Sequence, residues 1–127
     1  MVMINEAAGW LGIALGIFGG AVLGLNYDRE GWLGGYGSLR RRLLRLGHIA
    51  FIALGFLNLL FVQTAERLAP TDHPTALASW CLALGAFAMP LTCFVNAWQP
   101  RFKPLFGIPV TLLATGCIST FIGLVSS

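Results

Sequence analysis

Charged residues divide the chain into four long uncharged stretches, 7–27, 46–65, 74–100 and 104–127. Each reaches the ~20 residues that a helix rising ~1.5 Å per residue needs to cross a hydrocarbon core about 30 Å thick. The pattern predicts an all-α membrane protein: one four-helix transmembrane bundle, with spans at about 7–26, 43–65, 75–98 and 104–125. The connections between them are too short to fold into a separate domain.

The second stretch organises the rest. An arginine cluster, Arg40, Arg41, Arg42 and Arg45, runs directly into it. Within it Leu44, His48, Phe51, Gly55, Asn58, Val62 and Ala65 follow alternating four- and three-residue steps, a seam along one helix face. Ile49, Ile52, Ala53, Phe56, Leu57 and Leu60 take the other face. An imidazole or carboxamide facing hydrocarbon would lose its hydrogen bonds to water without replacement, so the seam is expected to face other helices, above all the third.

The first and last stretches carry small-residue stripes instead. Gly12, Gly16, Gly20 and Gly24 repeat every four residues, and so do Thr111, Thr115, Ser119 and Gly123. In a bilayer such stripes let a second backbone approach closely, whether in this chain, a second copy or another subunit. In the third stretch, Met89-Pro90 predicts a kink or local unwinding, because proline removes a donor and crowds the carbonyl of Ala86. Cys93 and Asn96 follow it.

The connection before Leu39 holds Gly31, Gly34, Gly35 and Gly37 with Trp32 and Tyr36, which suits a loop lying on a membrane surface. It is no phosphate loop, since no strand precedes it and no G-K-[ST] closes it. Pro70 and Pro74 bracket Thr-Asp-His and predict a tight turn, in which Asp72 and His73 are a polar pair or, less simply, part of a metal site.

Composition agrees with the pattern: 57% of residues are hydrophobic and 10% charged, with mean hydropathy +0.78, outside the range of soluble domains. The net charge of +3 would suggest nucleic acid in a soluble protein, but its placement points to lipid. Arg29, Arg40, Arg41, Arg42, Arg45, Arg101 and Lys103 flank the first and third connections, and only Arg67 lies by the second. The positive-inside rule then puts both basic connections in the cytoplasm and both termini outside, in a bacterial inner membrane. Arg40, Arg41, Arg42, Arg45, Arg101 and Lys103 are expected at lipid headgroups. With no basic leader or small-x-small cleavage site, the first span reads as a retained helix.

Candidate chemistry is sparse. Cys81, Cys93 and Cys117 form no C-x-x-C pair and read as small packing residues. Counted along antiparallel helices, His48 and Cys93 come to the same depth, with Met89 one turn deeper. The polar seam His48, Asn58, Met89, Cys93 and Asn96 is therefore expected to hydrogen-bond between helices, or alternatively to serve a haem or soft metal through His48 with a ligand from another chain. No resident cofactor is expected from this chain alone.

No carboxylate lies well inside a span, and neither H-E-x-x-H nor a Ser-His-Asp set is present. The chain matches the small multidrug-resistance exporters in size and helix number but lacks their first-helix carboxylate. Gly19-Gly20, Asn58 and Ser119-Thr120-Phe121 resemble fragments of fluoride-channel motifs, yet here the last of these sits in the fourth span and the arginine bias opposes dual topology. Packing devices outnumber reactive groups, so the expected function is non-enzymatic: an accessory, assembly or oligomeric subunit working through helix packing, with a membrane redox complex as one host. The rival expectation is a small oligomeric transporter or channel, with the Met89-Pro90 kink, Asn58, Asn96 and Thr111 lining a polar route.

Overall fold

The computed structural model describes residues 2–67 and 73–126. It contains helices α1 (Val2–Gly24), α2 (Leu39–Ala65), α3 (His73–Trp98) and α4 (Gly107–Ser126), with short 3-10 segments at Trp32–Gly34 and Pro100–Phe106. Among the described residues there are no strands. All four helices are long and apolar enough to cross a membrane. Pro70 and Asp72 of the expected second turn, and the side chain of His73, lie outside the described residues.

Two helices begin earlier than the charge pattern suggests. Helix α1 continues back through Glu6 and Asn5 because the Asn5 carboxamide is fully buried and bonded inside the bundle. Helix α2 starts at Leu39 because Ser38, in extended conformation, accepts from the Arg41 amide at 3.2 Å and so caps one of the free N–H groups of the first turn. The arginine cluster is thus helical. At the other basic connection, Pro100 and Pro104 suit tight 3-10 turns, and α4 proper begins at Gly107 instead of 104. Helix α3 runs unbroken through the fully buried Pro90, without the local unwinding that was one expectation there.

Helix α3 is the interior of the molecule: in the most apolar stretch of each span 56% of residues are buried for α3, against 39% for α2 and 22% for α1 and for the last span. It packs on α2, on α4 and, over a smaller area, on α1, while α1 packs mainly on α2. A cluster of Phe61, Ala65, Ala78 and Leu82 forms the core where α2 meets α3, joined by Leu57 and by Leu113 of α4. Phe51 packs edge-on against Phe87, with centroids 6.1 Å apart, and tilted against Phe94 at 6.0 Å. Cys81 and Cys93 are buried in this interior, and Cys117 is exposed on α4.

The glycine stripe of α1 is used within the chain. A Cβ at Gly12 would stand 3.0 Å from the Phe51 carbonyl, and one at Gly16 would stand 2.9 Å from the His48 carbonyl. Conversely, a Cβ at Gly55 would come 2.7 Å from the carbonyl of Gly9. These are backbone contacts, so α1 and α2 approach as closely as two helices can. Gly20 meets the His48 ring, whereas Gly24 has open space around it. The stripe of α4 divides differently. Ser119 and Gly123 face inward beside Pro109 and Gly116, while Thr111 and Thr115 are exposed and Thr111 donates to carbonyls of its own helix.

Candidate functional site

Polar side chains gather at the two ends of the bundle. At the end away from the arginines, Asn5 of α1 donates through Nδ2 to Asn58 Oδ1 at 2.8 Å and to the Ser79 carbonyl at 2.9 Å. Ser79 Oγ donates back to Asn5 Oδ1. Asn58 Nδ2 donates to the carbonyls of Leu54 at 2.9 Å and Leu82 at 3.2 Å. All three residues are 1% exposed or less. Both carboxamides are thereby bonded on oxygen and nitrogen, and three helices are tied at one level. The seam identified Asn58. Asn5 and Ser79 escaped it, because a lone Asn near a chain start and a lone Ser in an apolar run carry no periodic signal.

At the basic end the arginines do more than face outward. A positive side chain in the first turn of α2 opposes that helix's own dipole, yet each can reach the carbonyl-rich end of an antiparallel neighbour. Arg41 is only 4% exposed. Its guanidinium donates to the carbonyls of Arg29, Tyr27 and Asn26, just past α1, at 3.2–3.5 Å, and lies over the rings of Trp32 and Tyr36. Arg41 therefore leaves the set of headgroup-facing cations: it binds carbonyls of a connection that continues no helix. Arg40 donates to the Ala97 carbonyl of α3 at 3.2 Å beside Trp98. Arg45 lies 4.2 Å over the Tyr36 ring and donates to the Tyr36 carbonyl. Arg42, Arg101 and Lys103 are exposed.

Beneath this roof lies a cavity of about 360 Å³ between α1, α2 and α3, walled chiefly by Phe18, Val22, Trp32, Leu33, Phe94 and Trp98. Among the described residues of its wall, His48 is the one ionisable side chain. A second cavity of about 250 Å³ shares Leu23, Trp32 and His48 with the first and adds Tyr27, Tyr36, Arg41 and Arg45. Nδ1 of His48 is buried and has no hydrogen-bond partner. Leu33, at φ 54°, adopts the left-handed conformation that a side chain disfavours. It is held there by Ser38 Oγ, which donates to its carbonyl at 2.9 Å.

His48 does not take the place its seam suggests. Its Cβ would lie 3.2 Å from a Cβ on Gly19, and its ring packs over Gly20, so its principal neighbour is α1. The α3 residues sharing its cavity are Phe94 and Trp98, in place of Cys93 and Met89. Counting along a helix sets depth, but Cys93 is turned about 100° from Phe94 and is wholly buried in the interior. Among the described residues no three His, Cys, Asp or Glu side chains are grouped to hold a metal ion.

Asn96 donates to the carbonyls of Thr92 at 3.0 Å and Phe102 at 3.2 Å, pinning the Pro100–Phe106 segment to α3. Asn58 and Asn96 are thus bonded at opposite ends of the bundle, and Thr111 is on the outside. Comparison with protein-family models, curated proteins and solved structures returns no match.

Proposed function

We propose that this chain is an integral protein of the cytoplasmic membrane, basic end inward and both termini outward, that acts without catalysis as an accessory or assembly subunit. The observation that carries the reading is the unequal burial of its helices, 56% in the most apolar stretch of α3 against 22% in that of the last span. Helix α4 uses Pro109, Gly116, Ser119 and Gly123 against the bundle and still presents Thr111, Ala114 and Thr115 outward. Small residues on an outer transmembrane face admit a neighbouring helix at short distance. That neighbour is a second copy or a helix of a larger membrane complex. The α1 stripe supports the fold of the subunit itself, since its glycines meet α2.

Two measurements test the reading. An added terminal cysteine labelled only from the cytoplasm would reverse the topology. For assembly, Thr111→Leu and Thr115→Leu together should dissolve the native particle, seen by mass photometry after extraction into nanodiscs, while leaving a folded monomer. A wild-type chain that is monomeric in native membranes, or a particle that the double variant leaves unchanged, would remove the assembly role.

A further inference from the structure

The two adjoining cavities at the basic end form one cleft of graded polarity, and its residues specify a ligand. The outer part carries two guanidinium groups and two phenols, the inner part is almost wholly apolar, and among the described residues no acidic side chain lines either. We propose that this cleft binds one molecule of an anionic phospholipid, phosphate at Arg45 and one acyl chain in the inner cavity, with His48 at the ester level between them. The proposal rests on the chain being membrane-embedded.

Arg45 is the phosphate ligand because Arg41 is committed to three backbone carbonyls, whereas Arg45 makes one hydrogen bond, to Tyr36, and is part-exposed. A guanidinium has five N–H donors, so Arg45 keeps several for a phosphate oxygen. His48 follows Arg45 by three residues, which places it on the same helix face and about 4.5 Å deeper. A glycerol ester stands in the same order below its phosphate. The imidazole is at the junction of both cavities with a buried ring nitrogen lacking a partner. The ring thus marks the depth between the guanidinium above and the apolar wall below, the level at which the ester region would lie. Trp32 and Leu33, carried by the left-handed backbone at Leu33, lie along the cavity wall where the upper part of an acyl chain would run.

The test is native mass spectrometry of the full-length protein in mild detergent, titrated with phosphatidylglycerol, phosphatidylcholine of the same chains, or glycerol phosphate. A single phosphatidylglycerol adduct is expected at about tenfold lower concentration than the phosphatidylcholine adduct. Arg45→Gln should reduce that preference to about twofold, Arg45→Lys should keep most of it, and Arg42→Gln, outside the cleft, should leave it intact. Val22→Trp, filling the inner cavity, should lose the adduct while circular dichroism shows a folded helical protein. Equal retention of both lipids, a preference that survives Arg45→Gln, or a Val22→Trp adduct like that of wild type would overturn the proposal. Glycerol phosphate competing as well as the whole lipid would reduce the cleft to a small-anion site and overturn it too. Release of the protein from membranes by alkaline carbonate would instead break the membrane reading on which it rests.

Discussion

The carboxamide cluster around Asn58 and the cleft around His48 treat a buried polar side chain in opposite ways. Around Asn5, Asn58 and Ser79 both carboxamides find partners within the chain, and the helices close tightly enough for Gly55 to touch the Gly9 backbone. Around His48, although its backbone still meets α1, a cavity opens between the side chains of α1, α2 and α3, and a buried ring nitrogen is left unbonded below arginines and aromatic rings. A satisfied buried network defines a unique arrangement, whereas an unbonded buried nitrogen is a local cost to the fold. The first end holds three helices together, and the second carries the cleft proposed above to take a lipid.

The sharpest way to break that contrast is to force the closed end open. Gly55→Leu must push a side chain into the Gly9 carbonyl, which lies 2.7 Å from the position of a Cβ. It should destabilise the bundle by about 3 kcal/mol, measured by reversible unfolding in mixed micelles. Asn58→Leu strands the Asn5 donor and should lose about 2 kcal/mol, with a coupling of about 1 kcal/mol in an Asn5→Ala/Asn58→Ala cycle. Additive effects in that cycle would mean that the two amides do not hold each other.

The open end should respond far less. His48→Leu removes an unbonded nitrogen and should change stability by no more than about 0.5 kcal/mol in lipid-free detergent. A loss near that of Asn58→Leu would show that the imidazole has an intrachain partner after all. Smallest of all is Gly24→Ala, at the basic end of the same stripe, where nothing lies within 4 Å of the added Cβ. It should be neutral or stabilise by a few tenths of a kcal/mol through helix propensity, opposite in sign to Gly55→Leu and far smaller.

Much of the frame could be read from the chain. The four helices follow from stretches free of charge, and Phe51, Gly55, Asn58 and Ala65 of the α2 seam are indeed buried. The seam misjudged its edges: Leu44, His48 and Val62 are only half-buried, and Gly47 and Phe61 are buried in their stead. A strict seven-residue repeat drifts around a straight helix of 3.6 residues per turn, so it describes the middle of a helix better than its ends. The α4 stripe is split, its first half, Thr111 and Thr115, turning outward and its second, Ser119 and Gly123, inward, a division that its spacing alone does not reveal.

The sequence by itself determined what depends on distance along one helix: which segments are helical, how deep each polar group lies, and which end is basic. These follow from a constant rise per residue and from the cost of placing charge among apolar side chains. Only the tertiary structure decided azimuth and partner. It turned His48 toward Gly19 and Gly20 and Cys93 into the interior, joined Asn5 to Asn58 across more than fifty residues of chain, and drew Arg41 inward onto the carbonyls beyond α1. Such pairings depend on how helices rotate against one another to bring donors and acceptors together, and that rotation is set by the whole packed interface.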